Sequence, residues 1–167
     1  DDDLVQLAWN NIGRYYADRG KWKQALQYFR QARNWEGAIE SAAKCGDHHF
    51  LSEVVELLPE GAPLLQRAGQ ELVLVGCCEE AAAAFVKLGD HKAAVDACVV
   101  LNKWDRAVQL AQQYRMPQVE ALLSQYAGVL LREGSIASKF TAIELFQRAG
   151  LGGVLAAREQ GRAAACA

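Results

Sequence analysis

The sequence predicts an all-α fold, a right-handed solenoid of short antiparallel helix pairs. Three observations predict it. No segment shows the period-two alternation of a half-buried strand. Apolar residues recur instead at helical spacing in short runs, each closed by Gly or Asn. One string of large and small residues also comes twice. Trp9, Ile12, Gly13, Tyr16, Gly20, Ala25, Phe29 and Ala32 return as Leu65, Ala68, Gly69, Leu72, Gly76, Ala81, Phe85 and Leu88. The offset is 56 residues, from Trp9 to Leu65 and from Phe29 to Phe85.

That spacing is tetratricopeptide-like: two helices cross with large side chains at some positions and small ones at others. The first helix, near 4–19, carries Trp9, Gly13 and Tyr16 and stops at Gly20. The second, 21–33, opens at Trp22, carries Ala25 and Phe29 and stops at Asn34. The third, 35–45, opens at Trp35 and stops at Gly46. The fourth, 48–58, follows Asp47, a side chain that caps exposed amides. The fifth, 63–75, repeats the first with Leu65, Gly69 and Leu72 and stops at Gly76. The sixth, 78–88, repeats the second with Ala81 and Phe85 and stops at Gly89. The seventh, 91–101, follows Asp90 and stops at Asn102, and the eighth, 104–115, opens at Trp104 and carries Ala107. The ninth, 118–133, stops at Gly134; the tenth, 138–149, carries Ala142 and Phe146 and stops at Gly150; an Ala-rich eleventh covers 152–165. Gly and Asn tolerate the left-handed conformation that ends a helix, so each of these stops is a cap candidate.

Helix starts fall 13 apart at 22, 35 and 48, and again at 78, 91 and 104. Two triplets with one beat indicate an internal duplication. Repeats begin near Trp9, Trp35, Leu65, His91 and Leu123. The chain therefore reads as a single solenoid segment, residues 1–167, of about five helix pairs, excised from a longer chain. Solenoid ends need polar caps, and Ala163 to Cys166 offer no charged outer face. The isolated segment is expected to self-associate or to fray beyond Gly150.

The small residues have a physical role. Gly13 and Gly69 fall inside helices, where Gly costs about 1 kcal/mol relative to Ala. That cost makes sense where a partner helix crosses too closely for a side chain. Ala25, Ala81, Ala107 and Ala142 mark the same close approach on the second helices. Phe29, Phe85 and Phe146 fill the gap toward the next repeat.

Composition excludes several classes. With 51% hydrophobic and 23% charged residues the chain can bury a core. Net charge is −2 and no basic stripe runs along it, which argues against nucleic acid as the main partner. The longest apolar stretches are too short to span a bilayer, so no direct membrane insertion is expected. The five cysteines include no CxxC, and Cys77 and Cys78 are neighbours, which suits buried thiols in a reducing compartment. Asp47-His48-His49 and Asp90-His91 fall at helix starts and read as caps. Trp9, Trp22, Trp35 and Trp104 read as packing between helices. Gly150-Leu151-Gly152-Gly153 follows no strand and lacks the Lys-Ser or Lys-Thr of a phosphate loop. No cofactor, metal or catalytic constellation is expected.

The first helices carry a recurring polar pair. It reads Asn10 and Arg14, Glu36 and Glu40, Gln66 and Gln70, then Lys92 and Asp96. In a regular stack of this kind these places line the inner groove. They are the candidate protein-binding face.

The stretch from Trp9 to about Phe146 resembles one family. It carries Trp9-Asn10-Asn11-Ile12-Gly13 with Tyr16 to Arg19, Lys21-Trp22, Leu58-Pro59-Glu60, Val75-Gly76 and Ala81 to Lys87. It also carries Lys92 to Asp96 with Cys98, Leu101-Asn102 with Trp104, Leu122-Leu123 with Tyr126-Ala127, and Ala142 to Leu145. These strings are similar to the helical solenoid of the WD-repeat subunits of intraflagellar transport complex A. The resemblance implies two upstream propellers absent from this chain. It implies retrograde ciliary transport and import of membrane proteins into the cilium, with no catalytic residues. It also implies other complex A subunits and ciliary cargo adaptors as partners, on the cytoplasmic side of the cilium or flagellum and at the basal body. A vesicle-coat solenoid of the clathrin or coatomer type is the rival within this architecture. A helical enzyme domain is the rival of another class.

Overall fold

The computed structural model describes residues 1–145. Among these residues every regular element is a helix. The order is α1 (Asp2–Ala17), α2 (Trp22–Gln31), α3 (Trp35–Cys45), α4 (His48–Leu57), α5 (Leu64–Val75), α6 (Cys78–Leu88), α7 (His91–Val100), α8 (Trp104–Gln113) and α9 (Val119–Glu133). Helix resumes at Ile136. The all-α expectation holds, and the bounds read for the third and sixth helices are those observed. Phe146, Gly150, Cys166 and the eleventh helix lie outside the described residues.

The described residues fall into two compact units, the first Asp1–Asn102 and the second beginning at Lys103. In the first, every helix from α1 to α7 packs on its chain neighbour, and α3 also meets α5 as α4 meets α6. Odd-numbered helices thus share one layer and even-numbered helices the other, the stacking expected of helix pairs. The core lies between the layers. Ala38, Ile39, Leu51, Val54, Leu65, Ala68, Leu72, Ala84 and Cys98 are all fully enclosed. In the second unit α8 packs on α9, and Ala107, Leu110, Ala111, Leu123 and Ala127 are buried.

The turns explain the beat of 13. Gly46, Gly76 and Gly89 end α3, α5 and α6 with φ of 74°, 89° and 90°. The next amide folds back on the helix: Asp47 N–H donates to Ala42 O, Cys77 N–H to Leu72 O and Asp90 N–H to Phe85 O. This arrangement satisfies carbonyls that the helix leaves open. Asn34 is a correction. The left-handed residue after α2 is Arg33, at φ 53°. Asn34 has φ −84° and is the first cap of α3, its side chain accepting from Gly37 N–H at 3.1 Å. An amide side chain suits a helix start as well as a stop, and here the start wins. Asp47 and Asp90 cap α4 and α7 as read, accepting from Phe50 N–H and Ala93 N–H at 3.0 Å. Each such cap is worth about 1 kcal/mol.

The interior glycines face aromatic rings. A Cβ on Gly13 would lie 2.8 Å from two carbons of the Phe29 ring, and one on Gly69 2.8 Å from Phe85 Cζ. The close neighbour is thus a ring from the second helix of the pair rather than a helix backbone. Phe29 also covers Gly37 of α3, where a Cβ would lie 3.1 Å from the ring. One side chain therefore joins α1 to α3 across α2, filling the gap toward the next repeat. Ala25, Ala81, Ala107 and Ala142 have no exposed surface.

α4 ends differently. It has no terminal glycine, and Leu58 is extended before Pro59. The Lys87 ammonium, from α6, donates to Val55 O at 2.7 Å and Glu56 O at 3.0 Å. A cation at a helix C-terminus also complements the helix dipole.

Candidate protein-binding face

The polar pairs lie on the odd-numbered helices of the first unit: α1, α3, α5 and α7. Arg14, Glu36, Glu40, Gln66, Gln70, Lys92 and Asp96 are exposed. Between them on the same helices lie buried residues, among them Gly13, Ile39, Ala68, Gly69, Ala94 and Val95. The helices are amphipathic in the way packing requires, and the polar side is left to solvent. Asn10 differs. It is half-buried, and its side-chain oxygen accepts from Asn34 Nδ2 at 2.7 Å. It ties α1 to the cap of α3 rather than standing free.

Three of the face residues come together. Arg14, Glu36 and Glu40 line a recess of about 420 Å³, joined by Asp18, with Trp22 and Phe29 as aromatic walls. Ser41 also lies in the lining, with Ala17, Asn34 and Gly37. It has no exposed surface, and its hydroxyl finds no partner among the described residues. An unmet buried hydroxyl costs on the order of 1–3 kcal/mol. Glu36 reaches Arg67 of α5 at 3.9 Å, a long pair between exposed groups that contributes little. Arg14, Asp18 and Glu40 form no ion pair among the described residues. Gln66, Gln70, Lys92 and Asp96 stand outside this recess. Asp18 and Ser41 were not among the residues read from sequence, because neither recurs at the repeat offset.

Of the four tryptophans, Trp9 and Trp104 stack on tyrosine rings. Tyr28 stacks on Trp9, with ring centres 5.7 Å apart, and on Tyr16 at 5.3 Å. In the second unit Trp104 stacks on Tyr126 at 5.8 Å. Burial raises the Tyr126 phenol above its ordinary value, and the negative charge of Asp105 adds to this. Burial, helped by Glu80, also raises the Cys77 thiol. Cys78 and Cys98 are buried with their sulfurs 3.2 Å apart. Among the described residues no three His, Cys, Asp or Glu side chains group as a metal site would need. No described helix is long and apolar enough to cross a membrane.

Stacked helix pairs around an enclosed core define a class: an all-α helix-pair repeat segment. The relatives give that class a particular likeness. Over 149 residues the chain is 42% identical to WD repeat-containing protein 35 of Mus musculus and of Rattus norvegicus. It is 43% identical over the same length to that of Homo sapiens. The match takes in 89% of this chain and 12% of each relative. No protein-family model matches the chain.

Proposed function

We propose that this chain is a non-catalytic protein–protein interaction scaffold. It would serve within a core subunit of intraflagellar transport complex A, in retrograde ciliary transport and the import of membrane proteins into the cilium. The observation that carries the scaffold reading is the exposed polar row on α1, α3, α5 and α7 above a buried apolar core. Helix backbones are already hydrogen-bonded, so a partner must dock on side chains, and repeated first helices bring polar side chains out on one layer. The ciliary reading rests on the likeness to WD repeat-containing protein 35 and on the matching strings from Trp9 onward. Other complex A subunits and ciliary cargo adaptors are its partners in this reading, in the cilium or flagellum and at the basal body, on the cytoplasmic side.

The test is a pair of charge reversals, Lys92→Glu with Asp96→Lys, in the full chain expressed in ciliated cells. Both side chains are exposed, so helicity and melting should change little, within ~0.5 kcal/mol per site. Co-purification with complex A subunits should weaken. Normal co-purification would show that this layer is merely solvated and that docking lies elsewhere.

A further inference from the structure

We propose that the recess on α1 and α3 receives an arginine side chain from a basic segment of a partner protein. The inference deepens the scaffold reading and rests on it. Its sign of charge comes first. Asp18, Glu36 and Glu40 bring three carboxylates to the lining and Arg14 brings one guanidinium. A cation is favoured there and an anion is not. The carboxylates are also available. Asp18 and Glu40 pair with nothing among the described residues, and Glu36 is held only by the long contact to Arg67.

The walls choose among cations. Trp22 lines the recess beside the carboxylates. A planar guanidinium stacks on an indole while its edge bonds carboxylates in pairs; a compact ammonium does the second alone. The floor supplies an independent mark of a missing group. Ser41 is fully enclosed, lines this recess, and its hydroxyl is unmatched. Buried polar atoms in native proteins are nearly always hydrogen-bonded; this hydroxyl has no accessible surface in the unliganded chain, so a guanidinium N–H satisfies it by pressing the floor open as it seats.

Two short fluorescein-labelled peptides test the inference by fluorescence polarisation against the full chain. One alternates arginine with glycine; the other has glutamate in place of arginine. The arginine peptide should bind and the glutamate peptide should not. Asp18→Asn with Glu40→Gln should weaken binding by roughly tenfold or more, the scale of charge-assisted hydrogen bonds. Glu56→Gln with Glu60→Gln removes the same charge from exposed positions outside the recess and should leave binding unchanged. Ser41→Ala should weaken it a few-fold, with helicity retained by circular dichroism. Equal losses from the two double variants would mean general charge attraction and would overturn the inference. So would failure of the arginine peptide to bind the unaltered chain. If that failure comes while Lys92→Glu with Asp96→Lys, both outside the recess, still loses complex A subunits, the scaffold reading stands and only the arginine recess falls.

Discussion

Gly69→Ala sets two effects of similar size against each other. Alanine in a helix interior gains about 1 kcal/mol over glycine. The new Cβ, however, would lie 2.8 Å from Phe85 Cζ and 3.0 Å from both Cε atoms. Carbons rest at about 3.5–4.0 Å, so the ring must retreat by roughly 1 Å. Phe85 is only 5% exposed, with fully enclosed Ala81 and Ala84 on the same helix, which leaves little room to retreat. Overpacking of this kind costs about 1–3 kcal/mol. The net expectation is a loss of up to about 2 kcal/mol. Gly128 is the control, because a Cβ there meets nothing within 4 Å. Gly128→Ala should keep the whole gain of about 1 kcal/mol. Phe85→Leu removes the ring tip that makes the clash, so on that background Gly69→Ala should become favourable. Urea unfolding of the four variants, followed by far-UV circular dichroism, measures the cycle. A Gly69→Ala protein stabilised as much as Gly128→Ala, with no coupling to Phe85→Leu, would refute the ring-over-glycine argument.

Lys87→Met keeps the apolar stem and removes the ammonium that closes α4; the melting curve should show a loss of about 1–2 kcal/mol, and no change would mean that water closes α4 equally well. Tyr126 titrates above the ordinary phenol value of 10.0 in the folded chain. Its neutral form is thus the one the fold prefers, so its contribution is complete below that pH and is lost as pH rises through the raised folded value. Stability measured across that range should fall less steeply in Tyr126→Phe, and identical slopes would remove the phenol from the account. Cys77, raised by burial and then by Glu80, should alkylate more slowly at neutral pH than a free thiol, since the thiolate is the nucleophile. Glu80→Gln should speed it modestly; no acceleration would leave burial as the whole cause.

The helices were legible because each carries its own punctuation. Gly46, Gly76 and Gly89 mark stops and Asp47 and Asp90 mark starts, all within a few residues of what they control. Asn34 was misread for the same reason: an isolated asparagine serves either end of a helix, and only the carbonyl of Phe29, reached by its amide, shows that Arg33 takes the left-handed place. The recurring polar pairs were legible as a face through the duplication. The recess was legible in part. Arg14, Glu36 and Glu40 were found by repeat position, whereas Asp18 and Ser41 enter it where the end of α1 faces α3. Lys87 beneath α4 is likewise a long-range matter. Local pattern carries no signal for partners so distant along the chain.

Lys87 also bears on how the chain takes shape as it is made. Translation delivers Leu57 well before Lys87, and at roughly 5–20 residues per second the interval is on the order of seconds. Through that interval the last carbonyls of α4 have only water to bond. Phe29 waits far less, because both of its glycines, Gly13 and Gly37, are synthesised close to it. The nascent chain can therefore seat α1, α2 and α3 around one ring while α4 still frays at its open end. Growth of the stack would then proceed by clasps that each later helix brings, with α6 closing what α4 could not finish alone.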